Sequence, residues 1–244
     1  MRVSVEVCAT SLAEVQAAEE AGCDAVELTT WLACGGVTPS LGTIRTVTEQ
    51  TRIPVRVLVR PGPGDFRLKG SERSILTNDI SILCATSGVH GAVTGGLDED
   101  LRPDTFLMKE VLDQCARHGK ELTFHRAIDM CRDLNEAVER CLRLGIPRIL
   151  TSGGATTAVQ GCERIRGMVE LANGAARIVA AAGVNGTNVV ELVERTGVSE
   201  VHFSATRSMG VPAATKPFDT GRRFEPDRSR IHGVLNALVK AGLR

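Results

Sequence analysis

Short apolar segments alternate with longer amphipathic segments along the whole chain. The apolar segments are rich in β-branched residues, which predicts buried strands, and each is followed by a polar loop and a helix-like pattern. Glycine often closes the helix-like patterns, in the position where a helix usually stops. The predicted strands begin near Val3, Ala25, Val55, Gly91, Leu122, Arg148, Ile178 and Glu200, and the closing glycines are Gly22, Gly88, Gly119, Gly145, Gly174 and Gly197.

This strand-helix repeat predicts the fold class. Eight repeats of roughly 22 to 35 residues match a (β/α)8 barrel of about 250 residues. The alternative is an open doubly wound sheet, which usually carries a glycine-rich phosphate loop after its first strand, whereas ATSL at Ala9–Leu12 is not such a loop. We therefore expect a TIM-like α/β barrel, a single domain over residues 1–244 with the barrel at about 1–205.

The residues after the barrel form a C-terminal tail at about 206–244. Thr206–Arg228 carries several prolines and arginines and is interpreted as a long loop, and a last helix is expected near Arg230–Ala241. Such a tail packs over a barrel mouth or against a neighbouring subunit, so a homo-oligomer is one expectation.

The alternation of side chains along the strands predicts which residues point into the barrel. Val3, Val5 and Val7 share one face, which suits packing against helices, and this leaves Glu6 and Cys8 on the inner face. The same alternation places further polar side chains inside the barrel: Glu27, Arg56, Arg60, His125, His202 and Ser204.

A charged barrel interior allows two interpretations. An isolated buried charge costs several kcal/mol, so these groups must pair with one another or stay hydrated. For Glu6 and Arg56, which lie deeper, the alternative to a functional site is an ion-pair network that only fills the barrel. Glu27, Arg60 and His125 lie nearer the strand ends, where parallel α/β folds keep their sites.

The loops after the strands add further candidates for binding a substrate. In LTFHRAID, Arg126 follows the inward His125 and either lies against a helix or reaches over the rim, with Asp129 in the same turn. SGG at Ser152–Gly154 and GVN at Gly183–Asn185, together with Ser204, are candidates to present polar groups to an anion, Ser152 and Gly153 through backbone N–H groups, although ordinary turns explain them equally well.

Composition excludes several classes of partner. The net charge is zero and no cluster of lysine and arginine forms a stripe, which argues against nucleic acid and against an anionic membrane surface. Aromatic residues make up 3% of the chain, which argues against base stacking. No apolar run approaches the roughly 20 residues that span a bilayer, and the strand pattern MRVSVEVCAT lacks a signal-peptide core. We therefore expect a cytoplasmic protein.

The eight cysteines include no C-x-x-C pair, so a structural zinc site is not indicated. Most are expected to be reduced and to fill apolar space inside or at the ends of helices. Cys8 and Cys34 differ because they fall near strand ends or in the loops that follow.

The chain resembles the CutC family, which is associated with copper homeostasis. Five blocks occur in the same order: VEVCATSL at Val5–Leu12, VELTTWLACGGVTPSLG at Val26–Gly42, IPVRVLVRPGPGDF at Ile53–Phe66, LTFHRAIDMCRD at Leu122–Asp133 and RILTSGG at Arg148–Gly154. The resemblance implies a cytosolic TIM-like barrel and a link to copper.

The resemblance also implies a copper site built on two cysteines of the family pattern. Cys8 occupies the first of these positions, whereas the second is Thr29 in this chain. Cu(I) prefers thiolate or thioether ligands, usually two at once. Cys34 is the nearest substitute and Cys131 a more distant one.

Two hypotheses follow from these observations. The family resemblance favours a protein that binds Cu(I) through Cys8. The polar mouth favours an enzyme acting on a small anionic molecule, such as a carboxylated or phosphorylated metabolite. In the enzyme hypothesis Glu6 or Glu27 is the base and His125 the acid or electrophile, while the substrate is held by Arg60, Arg126, Asp129, Ser152, Gly153, His202 and Ser204.

Overall fold

The computed structural model describes residues 2–210 and 222–244 and confirms the (β/α)8 barrel. Within these residues, eight parallel strands close into a barrel in chain order. The strands are β1 Ser4–Ala9, β2 Ala25–Leu28, β3 Val55–Leu58, β4 Val89–Thr94, β5 Glu121–Phe124, β6 Arg148–Thr151, β7 Arg177–Ala181 and β8 Glu200–Ser204. The helices are α1 Leu12–Ala21, α2 Leu41–Gln50, α3 Ser71–Ala85, α4 Thr105–Arg117, α5 Leu134–Leu144, α6 Cys162–Ala172, α7 Val189–Thr196 and α8 Arg228–Lys240.

Capping side chains and glycines set the limits of several helices. Ser11 accepts the backbone N–H of Glu14 at the start of α1, and Asp133 does the same for Glu136 at the start of α5. Gly22 ends α1 with a φ of +83°, a left-handed conformation that favours glycine. These local signals set where the helices begin and end, and because the strands are parallel the loops that follow them lie together at one face of the barrel.

The hydrophobic core lies between the barrel and its ring of helices. The alternating valines of β1 and β3, such as Val5 and Val57, are fully buried in this layer. Their inward neighbours are polar, as the alternation predicts. The barrel interior is therefore left to charged side chains, with Leu150 and Val179 in a small separate apolar cluster.

The first part of the C-terminal tail, expected as a long loop, contains two strands in the described residues. Two further strands, β9 Thr206–Gly210 and β10 Arg222–Pro226, form an antiparallel ribbon that packs against α1. Arg207 pairs with Glu225 across this ribbon at 3.3 Å, a cross-strand attraction that favours pairing over a loop. Of the tail residues expected in the loop, Pro212, Lys216 and Pro217 lie outside the described residues.

The last helix confirms the expectation for the end of the chain. α8 packs against α1 and α7 and so takes the place of the helix that follows β8. Among the described residues, no helix combines the length and the apolar character that crossing a membrane requires.

Candidate functional site

A network of ion pairs fills the lower part of the barrel. The carboxylate of Glu6 is fully buried and accepts hydrogen bonds from Arg56 at 2.8 Å and from Arg148 at 2.7 Å. Arg148 also donates to Glu200 at 2.6 Å, and Arg56 donates to Glu121 at 2.8 Å. Each buried charge therefore has an opposite charge within hydrogen-bond distance, which is the condition for keeping it ionised inside a barrel.

The cations of this network decide the protonation state of Glu6. Burial alone would raise the pKa of Glu6, but Arg148, His202 and Arg56 together hold it well below its ordinary value. The contacts of Glu6 and Arg56 agree with the second of the two interpretations, an ion-pair network that fills the barrel. Neither residue lines the cavity above the network. Arg148 and Glu200 were not among the predicted inward residues, although Glu200 lies two residues before the inward His202 on the same strand and so shares its face.

Above the network, a cavity of about 490 Å³ opens at the carboxyl ends of the strands. It brings together most of the residues that the sequence singled out. Those lining it are Cys8, Glu27, Arg60, His125, Arg126, Asp129, His202 and Ser204. Glu6, Ser152 and Gly153 are not among the residues that line it.

Glu27 is a buried carboxylate with an unpartnered oxygen. Its Oε2 atom has no hydrogen-bond partner, and its Oε1 lies 4.0 Å from the Cys8 sulfur. Burial raises the pKa of Glu27 above its ordinary value, although nearby His202 opposes this shift. Glu27 therefore combines a free lone pair with a raised pKa, which suits a general base.

His202 lies between Glu27 and the ion-pair network. Its Nδ1 lies 2.8 Å from Glu6 Oε1, which fixes the ring. Burial would lower the pKa of His202, but the charges of Glu27 and Glu6 raise it above its ordinary value. His202 thus supplies positive charge beneath Glu27.

His125 is held as a neutral imidazole. Its Nδ1 accepts the backbone N–H of Ala127 at 3.2 Å, so the proton of the neutral ring is on Nε2. That Nε2 is buried with no hydrogen-bond partner in the described structure. Burial, reinforced by the charge of Arg60, lowers the pKa of His125 to about 3. The ring therefore offers one unused N–H donor to the cavity.

We expect the imidazole of His125 to remain neutral between pH 5 and pH 8. A 15N-detected histidine spectrum should show the Nε2–H tautomer of His125 unchanged across this range, because burial disfavours the imidazolium. His202 serves as the comparison within the same protein, since its pKa is raised. Titration of His125 with a midpoint near 6.5 would contradict the assignment.

Gly95 leaves the space that the His125 ring occupies. A Cβ atom at Gly95 would meet His125 Nδ1 at 2.5 Å and Cε1 at 2.8 Å. Gly95→Ala is therefore expected to displace the ring and to lower the free energy of unfolding by about 1–3 kcal/mol, as overpacking does. Urea unfolding measures this change.

Gly167→Ala is the matched control for Gly95→Ala. Gly167 lies within α6, and nothing lies within 4 Å of its added Cβ. The alanine should stabilise the helix by about 0.5–1 kcal/mol. Equal effects of the two substitutions would show that the space beside His125 is not restricted.

Arg60 is a buried cation without a carboxylate partner among the described residues. It donates to the carbonyl oxygens of Cys34 at 3.1 Å, Gly36 at 3.0 Å and Gly64 at 3.1 Å, and lies 4.6 Å from the ring centre of Phe66. These contacts fix its position without neutralising it, and burial lowers its pKa from the ordinary value. Its Nε–H and one Nη2–H remain available to an anion.

The Ser152–Gly154 loop has a partner within the chain. The carboxylate of Asp129 accepts the backbone N–H groups of Ser152 at 3.0 Å and Gly154 at 2.9 Å, and the hydroxyl of Thr151 accepts that of Gly153 at 2.8 Å. These amides are therefore not free for an external anion, which corrects that expectation. Their donors are satisfied by Asp129 and, for Gly153, by Thr151, as buried donors generally must be.

Arg126 and Ser204 are also engaged in contacts within the protein. Arg126 pairs with Asp129 at 2.9 Å and reaches the Ser152 hydroxyl at 3.0 Å, so it lies across the rim. Ser204 donates its hydroxyl to Thr206 at 3.2 Å. Both residues line the cavity, but an incoming ligand would have to compete with these contacts.

One group of cavity residues offers metal-binding atoms. Cys8, Glu27 and His202 each present one ligand atom, and these atoms lie within 4.8 Å of one another. The set does not fit the two-sulfur preference of Cu(I), since it has one sulfur, and burial together with Glu27 raises the pKa of the Cys8 thiol well above its ordinary value.

The other proposed copper ligands lie outside this group. The Thr29 hydroxyl lies 3.2 Å from the carbonyl oxygen of Val37, which it can reach as a donor, and Cys34 donates its thiol to the Trp31 carbonyl. Cys131 donates its thiol weakly to the Ala127 carbonyl.

The closed barrel and this cavity define a TIM-type barrel with its candidate site at the usual face. Comparison with known proteins identifies the family. The profile of the CutC family matches residues 3–207. The chain is 40% identical to a family protein CutC from Glaesserella parasuis, over 83% of this chain and 82% of that protein, and 36% identical to one from Xanthomonas axonopodis pv. citri, over 98% and 100%.

Solved structures agree with this assignment. The putative copper homeostasis protein CutC from Streptococcus agalactiae superposes with a TM-score of 0.77 at 29% identity, over 82% of this chain and 98% of that one. A phosphoribosylanthranilate isomerase from Thermotoga maritima, at 14% identity and a TM-score of 0.60, covers 98% of this chain and 99% of that one and shares the fold alone. The chain belongs to the CutC family, and therefore to a family associated with copper homeostasis.

Proposed function

We propose that this protein is a cytoplasmic enzyme that moves a proton on a small anionic carbonyl compound bound in the barrel mouth. The observation that carries the proposal is that, within the described part of the chain, two unpartnered buried atoms and a cation without a carboxylate partner line one cavity. The atoms are Oε2 of Glu27 and Nε2 of His125, and the cation is the guanidinium of Arg60, whose hydrogen bonds among the described residues go to neutral carbonyl oxygens. Buried polar groups are normally satisfied, so two unpartnered atoms beside such a cation indicate a ligand.

The residues have complementary roles in this proposal. Glu27 removes a proton from the carbon next to the carbonyl group. The electron pair of that C–H bond forms a C=C bond, and the π pair of the C=O bond moves onto the oxygen. His125 donates a hydrogen bond from Nε2–H to this oxygen as negative charge develops there and keeps its own proton. The proton then returns from Glu27 to a carbon of the same molecule. A carboxylate base paired with a neutral histidine donor is an arrangement suited to such a transfer.

Arg60 supplies the preference for an anion. Its remaining N–H donors point to a carboxylate or a phosphate as the acceptor, because a guanidinium binds these groups through paired hydrogen bonds. We assign Glu6 to holding His202 and Arg148, and Asp129 to holding Arg126 and the Ser152–Gly154 loop, because those contacts already occupy their oxygens.

A thermal-shift screen of carboxylated and phosphorylated carbonyl compounds tests the proposal. We expect at least one such anion to raise the melting temperature and Arg60→Gln to abolish that rise. Arg67→Gln is the matched control, since Arg67 follows the same strand but pairs with Asp65 at the surface. If no anion raises the melting temperature, or if Arg60→Gln leaves the rise unchanged, the anion site does not exist as described.

Copper binding is a second candidate function, favoured by the family; Cys8 would supply the one sulfur ligand, beside Glu27 and His202. It predicts uptake of about one Cu(I) per chain, measured by competition with a chromogenic chelator, and loss of this uptake in Cys8→Ser. Cys23→Ser is the control, because Cys23 is half-buried and does not line the cavity. Uptake that is equal in the two variants would argue against Cys8 as a ligand.

A further inference from the structure

Among the described residues, three arginines line the cavity: Arg60, Arg126, which is paired with Asp129, and Arg230, which comes from α8. The Nε of Arg230 is buried with no hydrogen-bond partner, and Nη2 has one long contact, 3.4 Å to the carbonyl oxygen of Val184. Within residues 2–210 and 222–244, it forms no ion pair. Asp227, at the start of the helix, accepts the backbone N–H of Arg230 instead. Among the described residues, the guanidinium therefore has no carboxylate within ion-pair distance, although the pKa of Asp227 is lowered by a hydrogen bond from Ser229 and, to a smaller extent, by this charge.

The packing of α8 fixes where this guanidinium lies. Ile231, the next residue, is buried in the core. A Cβ atom at Gly186, in the loop after β7, would lie 2.6 Å from the carbonyl oxygen of Gly233 in α8, so loop and helix are in direct backbone contact. This contact holds Arg230 beside the loop after β7 and near the end of β8, where Gly183 and Ser204 also line the cavity.

The two cations lie on opposite sides of the barrel mouth. Arg60 follows β3, whereas Arg230 contacts the segment after β7. In a closed barrel of eight strands in chain order, β3 and β7 are four strands apart in either direction. Glu27 and His125 line the same cavity as these two cations.

We infer that the substrate carries an acidic group at each end, one bound by Arg60 and the other by Arg230. This inference rests on the proposed function and narrows its substrate class to two-ended anions, such as dicarboxylates and phosphorylated acids. Arg60 is buried and Arg230 is partly buried with a buried, unpartnered Nε, and neither has a carboxylate partner among the described residues. A cation withdrawn from water is stabilised by an anion, so two such cations on opposite sides of one cavity call for two anionic groups. A ligand held at both ends also keeps its middle carbons within the cavity.

Calorimetric titration of the full chain with matched compounds tests this inference. The first set tests charge at the two ends alone, because its acids carry no ketone or aldehyde. 6-Phosphogluconate is anionic at both ends, and gluconate and glucose 6-phosphate are anionic at one end. The second pair is 2-oxoglutarate and 2-oxopentanoate, which differ only in the second carboxylate. We expect one two-ended compound to bind at least tenfold more tightly than its one-ended counterparts.

Substitutions of the two arginines then test whether each binds one acidic end of the compound. Arg60→Gln and Arg230→Gln should each weaken binding of the two-ended compound by about tenfold, the usual effect of losing a charged hydrogen bond. Arg228→Gln should change binding by less than twofold, since Arg228 lies in the same helix but pairs with Glu20 at the surface. Arg230→Lys keeps the charge and should retain part of the affinity. Thermal unfolding checks that each variant is folded.

The outcomes separate this inference from the proposed function. If Arg60→Gln weakens binding and Arg230→Gln does not, the site binds an anion at one end only, which overturns the inference and leaves the proposed function standing. Equal affinity for two-ended and one-ended compounds also overturns it. If none of the five compounds binds, the inference fails, and the broader screen with Arg60→Gln decides the proposed function.

Discussion

Arg148→Met should lower the free energy of unfolding by about 3–5 kcal/mol, the range found when one partner of a buried ion pair is removed. Arg148 is fully buried and hydrogen-bonded to Glu6, Glu200 and the hydroxyl of Thr123. Methionine fills much of the same space but leaves two carboxylates facing each other without the cation between them. For a chain of this size we expect the melting temperature to fall by on the order of 10 °C.

Arg166→Met is the matched control for this substitution. Arg166 pairs with Glu170 on the exposed face of α6, where solvent screens the pair. Chemical denaturation of both variants measures the difference, and we expect almost no change for Arg166→Met. A small effect of Arg148→Met, similar to that of the control, would show that the network does not hold the barrel interior together.

Glu27→Gln should reduce proton transfer by about 10²–10⁴-fold, the contribution expected from a positioned general base. The same substitution should raise the free energy of unfolding at neutral pH by about 1–2 kcal/mol, because a buried carboxylate with an unpartnered oxygen is replaced by a neutral amide of similar size. Loss of activity together with a gain in stability is the behaviour expected of a functional group that is kept at a cost to the stability of the folded protein.

The pH dependence of this gain follows from the raised pKa of Glu27. A group whose pKa is raised in the folded state contributes stability that is fully present below its unfolded value, here 4.5, and that is lost as the pH rises through the folded pKa. The free energy of unfolding of Glu27→Gln should therefore exceed that of the wild type most at neutral pH, and the difference should shrink as the pH falls toward 4.5. The pH dependence that Glu6 contributes has the opposite sign. Because its pKa is lowered in the folded state, the stability that it contributes is lost as the pH falls.

Glu49→Gln controls for the loss of one negative charge. Glu49 is exposed on α2, so this variant should match the wild type at each pH. Urea unfolding at pH 7 and pH 5 supplies the comparison. A Glu27→Gln variant less stable than the wild type at pH 7 would show that Glu27 is satisfied within the protein.

The barrel was predictable from the sequence because strand alternation and helix-closing glycines are local signals. The alternation Val5, Glu6, Val7 placed a carboxylate inside the barrel, and the structure has it there. The ribbon of β9 and β10 was not predicted, since its pairing depends on contacts such as Arg207 with Glu225, which are distant in sequence.

The candidate site was only partly predictable, for a different reason. The sequence indicated Glu27, Arg60 and His125, but it did not show that Asp129 already occupies the amides of the Ser152–Gly154 loop. It also placed Arg230 in an ordinary terminal helix. Which donors remain free depends on the folded arrangement of many neighbours, and no local pattern records that arrangement.

The most direct test of the account is deuterium exchange at the carbon next to the carbonyl group. The protein is incubated in D2O with the carbonyl anion that most raises its melting temperature, and 1H NMR follows the loss of that proton signal. We expect exchange faster than in buffer alone, with the acceleration lost in Glu27→Gln and kept in Glu49→Gln. Exchange at the buffer rate, or an equal rate with Glu27→Gln, would contradict it.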